Sequence, residues 1–313
     1  MKYLCKKLGT LLFTVLIVTF LVFLAFQVIP GDPAVHMLGT NATPEKVEAL
    51  REQLGLNRPL LIRYAEWLKS FFFGNMGISY SYGSSVRTML AGKLPITITL
   101  TALSFLLIVL LSIPLGIHSA KYEDSIFSKI LDILNQITMA VPTFFIGILI
   151  TYLFGLVLRL FTPGGYVSYT SDVLGFFSYL LFPAVAIALP KAAMNTKLLK
   201  ASVLKEAKLD YVRTAYSRGN STGDVLYRHV LKNALIPVIT FLGMTLADIV
   251  AGSLIIEQVF SIPGIGRMLI TSIFNRDYPV VQAIIAIIAF IVIIINFLVD
   301  LLYQAIDPRM RDN

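Results

Sequence analysis

Six apolar runs, each of about 20 residues, set the limits on what this chain can fold into. They are Leu8–Ile29, Leu94–Ile117, Ile137–Leu160, Phe176–Ala193, Leu235–Ile256 and Val280–Tyr303. Each is long enough to cross a hydrocarbon layer of roughly 30 Å as a helix, and a helix satisfies its own backbone donors and acceptors there. Barrel strands would alternate apolar and polar residues over about 10 positions, and these runs do not. Pro183 and Pro190 interrupt the fourth run, which spanning helices tolerate when neighbours satisfy the freed carbonyls. The composition agrees: 57% of residues are hydrophobic and 14% are charged. Soluble domains carry about 25% charge, and a soluble fold this apolar would lack the polar surface to cover its core. The expected fold class is therefore an all-α membrane protein with six transmembrane helices and a helical external loop after the first span.

Placement of charge gives the orientation. Six spans put both termini on one side, and that side collects 16 of the 26 lysines and arginines. Seven of the other ten lie in the first loop, over 60 residues long, where the positive-inside rule is weak. Both termini and the segment Lys191–Lys232 are thus expected to be cytoplasmic, in a multi-pass membrane protein. A net charge of +8 reads as anionic-lipid contact and orientation. No aromatic-and-basic nucleic-acid motif accompanies it. Lys2, Lys6 and Lys7 before an apolar run resemble a signal sequence. That run is too long for an h-region and lacks a small-x-small cleavage site, so it is expected to stay as the first span. Cys5, the single cysteine, precedes the run and is not expected to carry lipid.

The loop Pro30–Lys93 shows helix signals. Thr43 is an N-cap followed by Pro44 and Glu45, and Gly55 is a stop after Val47, Leu50 and Leu54. A second helix is expected from Pro59 to Phe72, ended near Gly74, with Leu60, Tyr64, Trp67, Leu68 and Phe71 on one face. That face suits either an amphipathic cap on the membrane or a docking surface for an external partner. Pro142 is expected to kink the third span. Pro163, Gly164 and Gly165 mark a turn. Pro263, Gly264 and Gly266 mark a bend before a short apolar helix at Met268–Phe274.

One polar stretch, Lys191–Pro237, stands apart. Ala192–Lys208 reads as a basic helix. Asp210 is placed to cap a further turn starting at Tyr211, and Gly219 ends it. Asn220–Asp224 is a turn leading into the fifth span. On charge alone this is a lysine-rich cytoplasmic loop or a surface shown to a partner. No G-x-x-x-x-G-K-[ST], H-E-x-x-H, C-x-x-C or G-x-S-x-G is present, so the chain offers no phosphate cradle and no nucleophile or metal motif. His36, His118 and His229 lie far apart in the sequence. The sequons at Asn41 and Asn220 are chance matches. Within the spans, Asp248 is costly as an ion. It is either a pore-facing acid for a cationic substrate group or a structural hydrogen bond, with the carboxyl protonated. Asp300 is expected to meet Arg309 or Arg311.

Several motifs in order resemble the permease subunits of bacterial ABC importers of the dipeptide, oligopeptide and nickel family. They are PGDP at Pro30–Pro33, LGLNRPLLIRYAEWL at Leu54–Leu68, GNMGISY at Gly74–Tyr80 and LPITITLT at Leu94–Thr101. DYVRTAYSRG at Asp210–Gly219 follows, with RHVLKNALIP at Arg228–Pro237. FSIPGIG at Phe260–Gly266, RDYPVVQ at Arg276–Gln282 and DPRMR at Asp307–Arg311 complete the series. The resemblance implies a type I importer permease without catalysis of its own. It would be divided into residues 1–29, an external loop 30–93, a permease core 94–307 and a tail 308–313. Within the core, a cytoplasmic loop 194–234 would couple to ATPase subunits through residues 205–234. Asp210, Tyr211, Arg213, Thr214, Ala215, Arg218 and Gly219 match the coupling motif. Ser217-Arg218-Gly219-Asn220 departs from the family's usual Ala-Lys-Gly-Leu but keeps the base and the glycine. Implied partners are a second homologous permease, two ABC ATPase subunits holding ATP and Mg, an extracytoplasmic substrate-binding protein and membrane lipid. The implied cargo is a peptide. Nickel or a metal chelate is the alternative within the family, and an ion-coupled secondary transporter the alternative outside it.

Overall fold

A computed structural model describes residues 2–28, 33–39, 42–53 and 55–306. The motif at 30–33, except Pro33, lies outside the described residues, as do the motif at 307–311, Asn41, Leu54, and Arg309 and Arg311 as partners for Asp300. Among the described residues the regular structure is helical, with one isolated bridge between Ile78 and Ser85. Among the described residues five helices are long and apolar enough to cross a membrane, or six if a bent helix pair counts as one span. The chain falls into two compact units, residues 1–96 with 264–294, and residues 97–263 with 295–313.

The first unit holds α1 (Lys2–Val28), α2 (Pro33–Leu38), α3 (Pro44–Gln53), α4 (Leu60–Phe72) and α5 (Val86–Ala91). It also holds α13 (Ile265–Phe274) and the first half of α14 (Tyr278–Ile306). Thr43 Oγ1 accepts from Lys46 N at 3.4 Å, and Gly55 and Gly74 take φ of +67° and +81°, so the expected starts and stops of α3 and α4 hold. The apolar face of α4 turns onto protein. Tyr64 OH lies 2.9 Å from Thr19 Oγ1, Trp67 packs on Phe23, and Phe71 stacks on Phe290. Of that face Phe71 is buried, while Leu60, Tyr64, Trp67 and Leu68 are half-buried, so α1 and α14 cover part of it. The short apolar helix is also longer than expected. It starts at Ile265, and Gly266 lies inside it rather than in the bend, which Ser261 at φ +57° and Gly264 as N-cap carry instead.

Asp277 organises the loop between α4 and α5. It is fully buried, accepts a short hydrogen bond from Ser79 Oγ, and accepts from Tyr80 N at 3.0 Å and Ser81 N at 3.4 Å. Burial, then the neighbouring carboxylate, pushes the Tyr80 phenol up to about 12.

The second unit holds α6 (Leu94–Lys121, from Thr97 onward), α7 (Ile126–Ala140), α8 (Thr143–Ile150) and α9 (Val173–Glu206). After these come α10 (Asp210–Ser217), α11 (Thr222–Asp224), α12 (Leu231–Val259) and the end of α14. Its third span departs from expectation. α7 and α8 meet at 105°, so Pro142 breaks the run outright, and a π-helical turn at Thr151–Val157 extends α8. Residues from Ile137 onward therefore form no single straight span. At the core lies α9, a helix of 34 residues with both prolines buried inside it. The expected separate basic helix at Ala192–Lys208 is the continuation of this helix, about 51 Å long in all. Close packing needs glycine here: a Cβ on Gly116 would come within 2.9 Å of Leu199, and one on Gly147 within 3.2 Å of Ile256.

Candidate functional site

Helices α9 and α12 run antiparallel, and three polar ties fix their register. At one end Tyr179 OH donates to Phe260 O at 2.6 Å. Twelve residues further along each helix, Lys191 Nζ donates to Asp248 Oδ2 at 2.8 Å. Fifteen residues further again stand Glu206 and Asn233, bridged by one hydroxyl: Tyr211 OH donates to Glu206 Oε2 at 2.7 Å and accepts from Asn233 Nδ2 at 3.2 Å. Equal steps along both helices mean no relative slip. At 1.5 Å per residue the ties are about 18 Å and about 22 Å apart.

The last tie belongs to α10, which carries the residues assigned to coupling by resemblance. Its inner face is apolar, with Val212 and Ala215 buried. The outer face is charged, with the Asp210 side chain 95% exposed and 3.6 Å from Arg213, a pair worth little to stability. Asp210 does not cap the helix as expected. It is the first residue of the helical turn, and Leu209 occupies the cap position without a side-chain bond. Thr214 Oγ1 bonds back to Asp210 O at 3.0 Å. Arg218 ends the helix, and Gly219 takes φ +83°, a left-handed conformation that glycine adopts without strain. Asn220 Nδ2 closes the end on Ala215 O at 2.9 Å. The Tyr211 phenol is pushed up by burial and by its bond to Glu206. Ser221 caps α11, and a π-helical turn at Val225–Val230 joins it to α12, so the expected turn at Asn220–Asp224 is partly helical.

Asp248 makes a hydrogen bond to another helix, one of its two expected forms. It is an ion-pair partner of Lys191, a residue counted from sequence with the cytoplasmic loop and found inside α9. The pair is uncovered by this chain on one side, with the Asp248 side chain 64% exposed. Two further charged ties were invisible to sequence reasoning. Lys200 bonds Asp132 at 2.6 Å and Ser128 at 2.9 Å, holding α7 to α9, and buried Glu257 accepts a short bond from Thr97. Hydrophobic burial around a charge gives no local pattern, so only the spacing of 191 and 248 within apolar runs could have flagged them. Among the described residues no three His, Cys, Asp or Glu side chains gather into a metal site.

Comparison with known proteins assigns the family. Residues 112–312 match the binding-protein-dependent transport system inner membrane component, and residues 1–101 match the N-terminal component of the same systems. The dipeptide transport system permease protein DppB of Lactococcus lactis is 33% identical, with 99% of each chain aligned. The oligopeptide transport system permease protein AppB of Bacillus subtilis is 32% identical, with 94% of each chain aligned. A Brucella abortus relative is 36% identical, with 98% of each chain aligned. With well over half of its length matched by one profile and full-length relatives above 30% identity, the chain belongs to the family of binding-protein-dependent transport system inner membrane components.

Proposed function

We propose that this chain is the permease subunit of a peptide ABC importer, forming half of the translocation pathway. Full-length identity to dipeptide and oligopeptide permeases is the observation that carries the reading, and it favours peptide over nickel or a metal chelate. The complex would contain a second permease, two ATPase subunits that hold ATP and Mg, and an external binding protein. The chain itself would bind no cofactor and hydrolyse nothing. In the bacterial inner membrane, the lysine and arginine count supports cytoplasmic termini and a cytoplasmic α10.

The geometry of α10 suits a gripped element. A rigid two-turn helix with a charged outer face sits at the end of the α9–α12 pair, and Tyr211 bonds both helices. ATP-driven closure of the motor would move α10, and with it two helices locked in register. Gly219→Pro tests this. Proline holds φ near −65° and is incompatible with the +83° found there. Peptide uptake by the assembled complex should fall at least tenfold while membrane insertion and ATP hydrolysis persist. Uptake at the parent rate would mean that α10 is not the coupling element.

A further inference from the structure

The exposed side of α12 carries Lys232, Asn233 and Gln258 toward its ends, and between them Asp248 is the one exposed charge. Met244, Asp248, Ala251 and Ile255 are exposed and recur at steps of four, three and four, the spacing of one helical stripe. A Cβ added at Gly252, beside this stripe, would meet nothing within 4 Å. Asp248 lies about 16 Å from the end of α12 at Val259, deep within the span. Lipid on this face is excluded by the cost of an exposed carboxylate and ammonium at such depth. The other acids held between helices here, Glu257 and Asp277, are fully buried, whereas Asp248 is not. The Lys191 contact is a single bond from a flexible side chain, readily exchanged for another anion. Because α9 and α12 are braced above and below the pair, it opens by side-chain motion and not by helix slip.

We propose that Lys191 and Asp248 line the translocation pathway as an openable, charge-balanced pair that sets which net charge of peptide passes. This rests on the peptide-importer reading. The balanced pair offers Asp248 to ammonium groups and Lys191 to carboxylates, with no net field against a zwitterion. Removing one member leaves a fixed charge that repels cargo of its own sign at short range.

The test uses the assembled complex with its binding protein and three probes, Ala-Ala-Ala, Ala-Lys-Ala and Ala-Glu-Ala. Each variant is referred to the parent for the same peptide, which cancels the preference of the binding protein. Asp248→Asn should lower Ala-Lys-Ala uptake about tenfold relative to Ala-Ala-Ala, and Lys191→Gln should do the same to Ala-Glu-Ala. The double variant should restore even handling of all three. Equal scaling of the three peptides in each single variant, or no change, would overturn the proposal. If the parent complex moves none of the probes, the peptide reading fails separately, and thiol labelling decides the pathway claim. Ala251→Cys in a Cys5→Ser background should react with membrane-impermeant methanethiosulfonate reagents. Protection of that cysteine in every nucleotide state would place the stripe against protein or lipid and sink the proposal.

Discussion

Asp248 and Asp277 are the same residue type in opposite settings. Asp277 is wholly buried, and its neighbours are neutral donors: the Ser79 hydroxyl and the backbone N–H groups of Tyr80 and Ser81. Such a carboxylate is a fixed anchor, because each donor loses its partner if the acid moves. Asp248 is open, and its partner is another full charge on a long side chain. That contact is weakened by solvent and replaceable. The contrast separates a clasp that fixes a loop from a pair that can exchange partners.

The contrast breaks first at Asp277. Asp277→Ala strands the Ser79 hydroxyl and two N–H groups in a dry site, and should destabilise its unit by about 3 kcal/mol. Asp248→Ala, with water at hand, should cost under about 1 kcal/mol. Thermal unfolding in detergent and protease sensitivity of the loop 73–85 give both numbers. A cost at Asp248 as large as at Asp277 would erase the distinction.

Alkali probes the same clasp. The folded Tyr80 phenol is pushed up to about 12, above the ordinary value of 10.0. The protonated form is thus favoured in the folded state. Its contribution is complete below pH 10 and is lost as pH rises toward 12. The loss should reach roughly 2–3 kcal/mol. Tyr80→Phe should flatten the alkaline limb of an unfolding-temperature profile, whereas an unchanged limb would show that Tyr80 is not the group responsible.

Much of this was readable from the chain, and the unread part has one cause. Spans, caps and stops are local: Thr43, Gly55, Gly74 and Gly219 act through their own backbone or that of near neighbours. The register of α9 on α12 is not local. Lys191 counts with the cytoplasmic loop because it begins a basic stretch, although it also lies at the end of the fourth run just after Pro190, an interruption that a span tolerates. Both lie inside a continuous helix whose neighbours bury the proline and whose Lys191 finds an acid 57 positions away. The 105° break after Ala140 was read as a kink, since Pro142 marks the place but not the angle. On α10 the motif located the element correctly. The residue reading took Asp210 for the cap, because a carboxylate at the first helical position resembles a cap in sequence while pointing into solvent.

The smallest expected effect on stability is the sharpest test of how α10 is joined to the rest. Tyr211→Phe removes one hydroxyl and keeps the ring, so it deletes only the bridge from Glu206 to Asn233. The net loss should be about 1 kcal/mol, because both former partners lie near solvent and can rehydrate. Packing by Val212 and Ala215 should keep α10 in place. Transport should respond more strongly than stability. With the bridge gone, movement of α10 is shared through packing alone, so peptide uptake per ATP hydrolysed should fall several-fold while hydrolysis continues. A parallel fall in both would mean that the bond holds the motor on and transmits nothing. No change in the ratio would place transmission in the apolar face of α10, where Val212→Ala is the variant to compare.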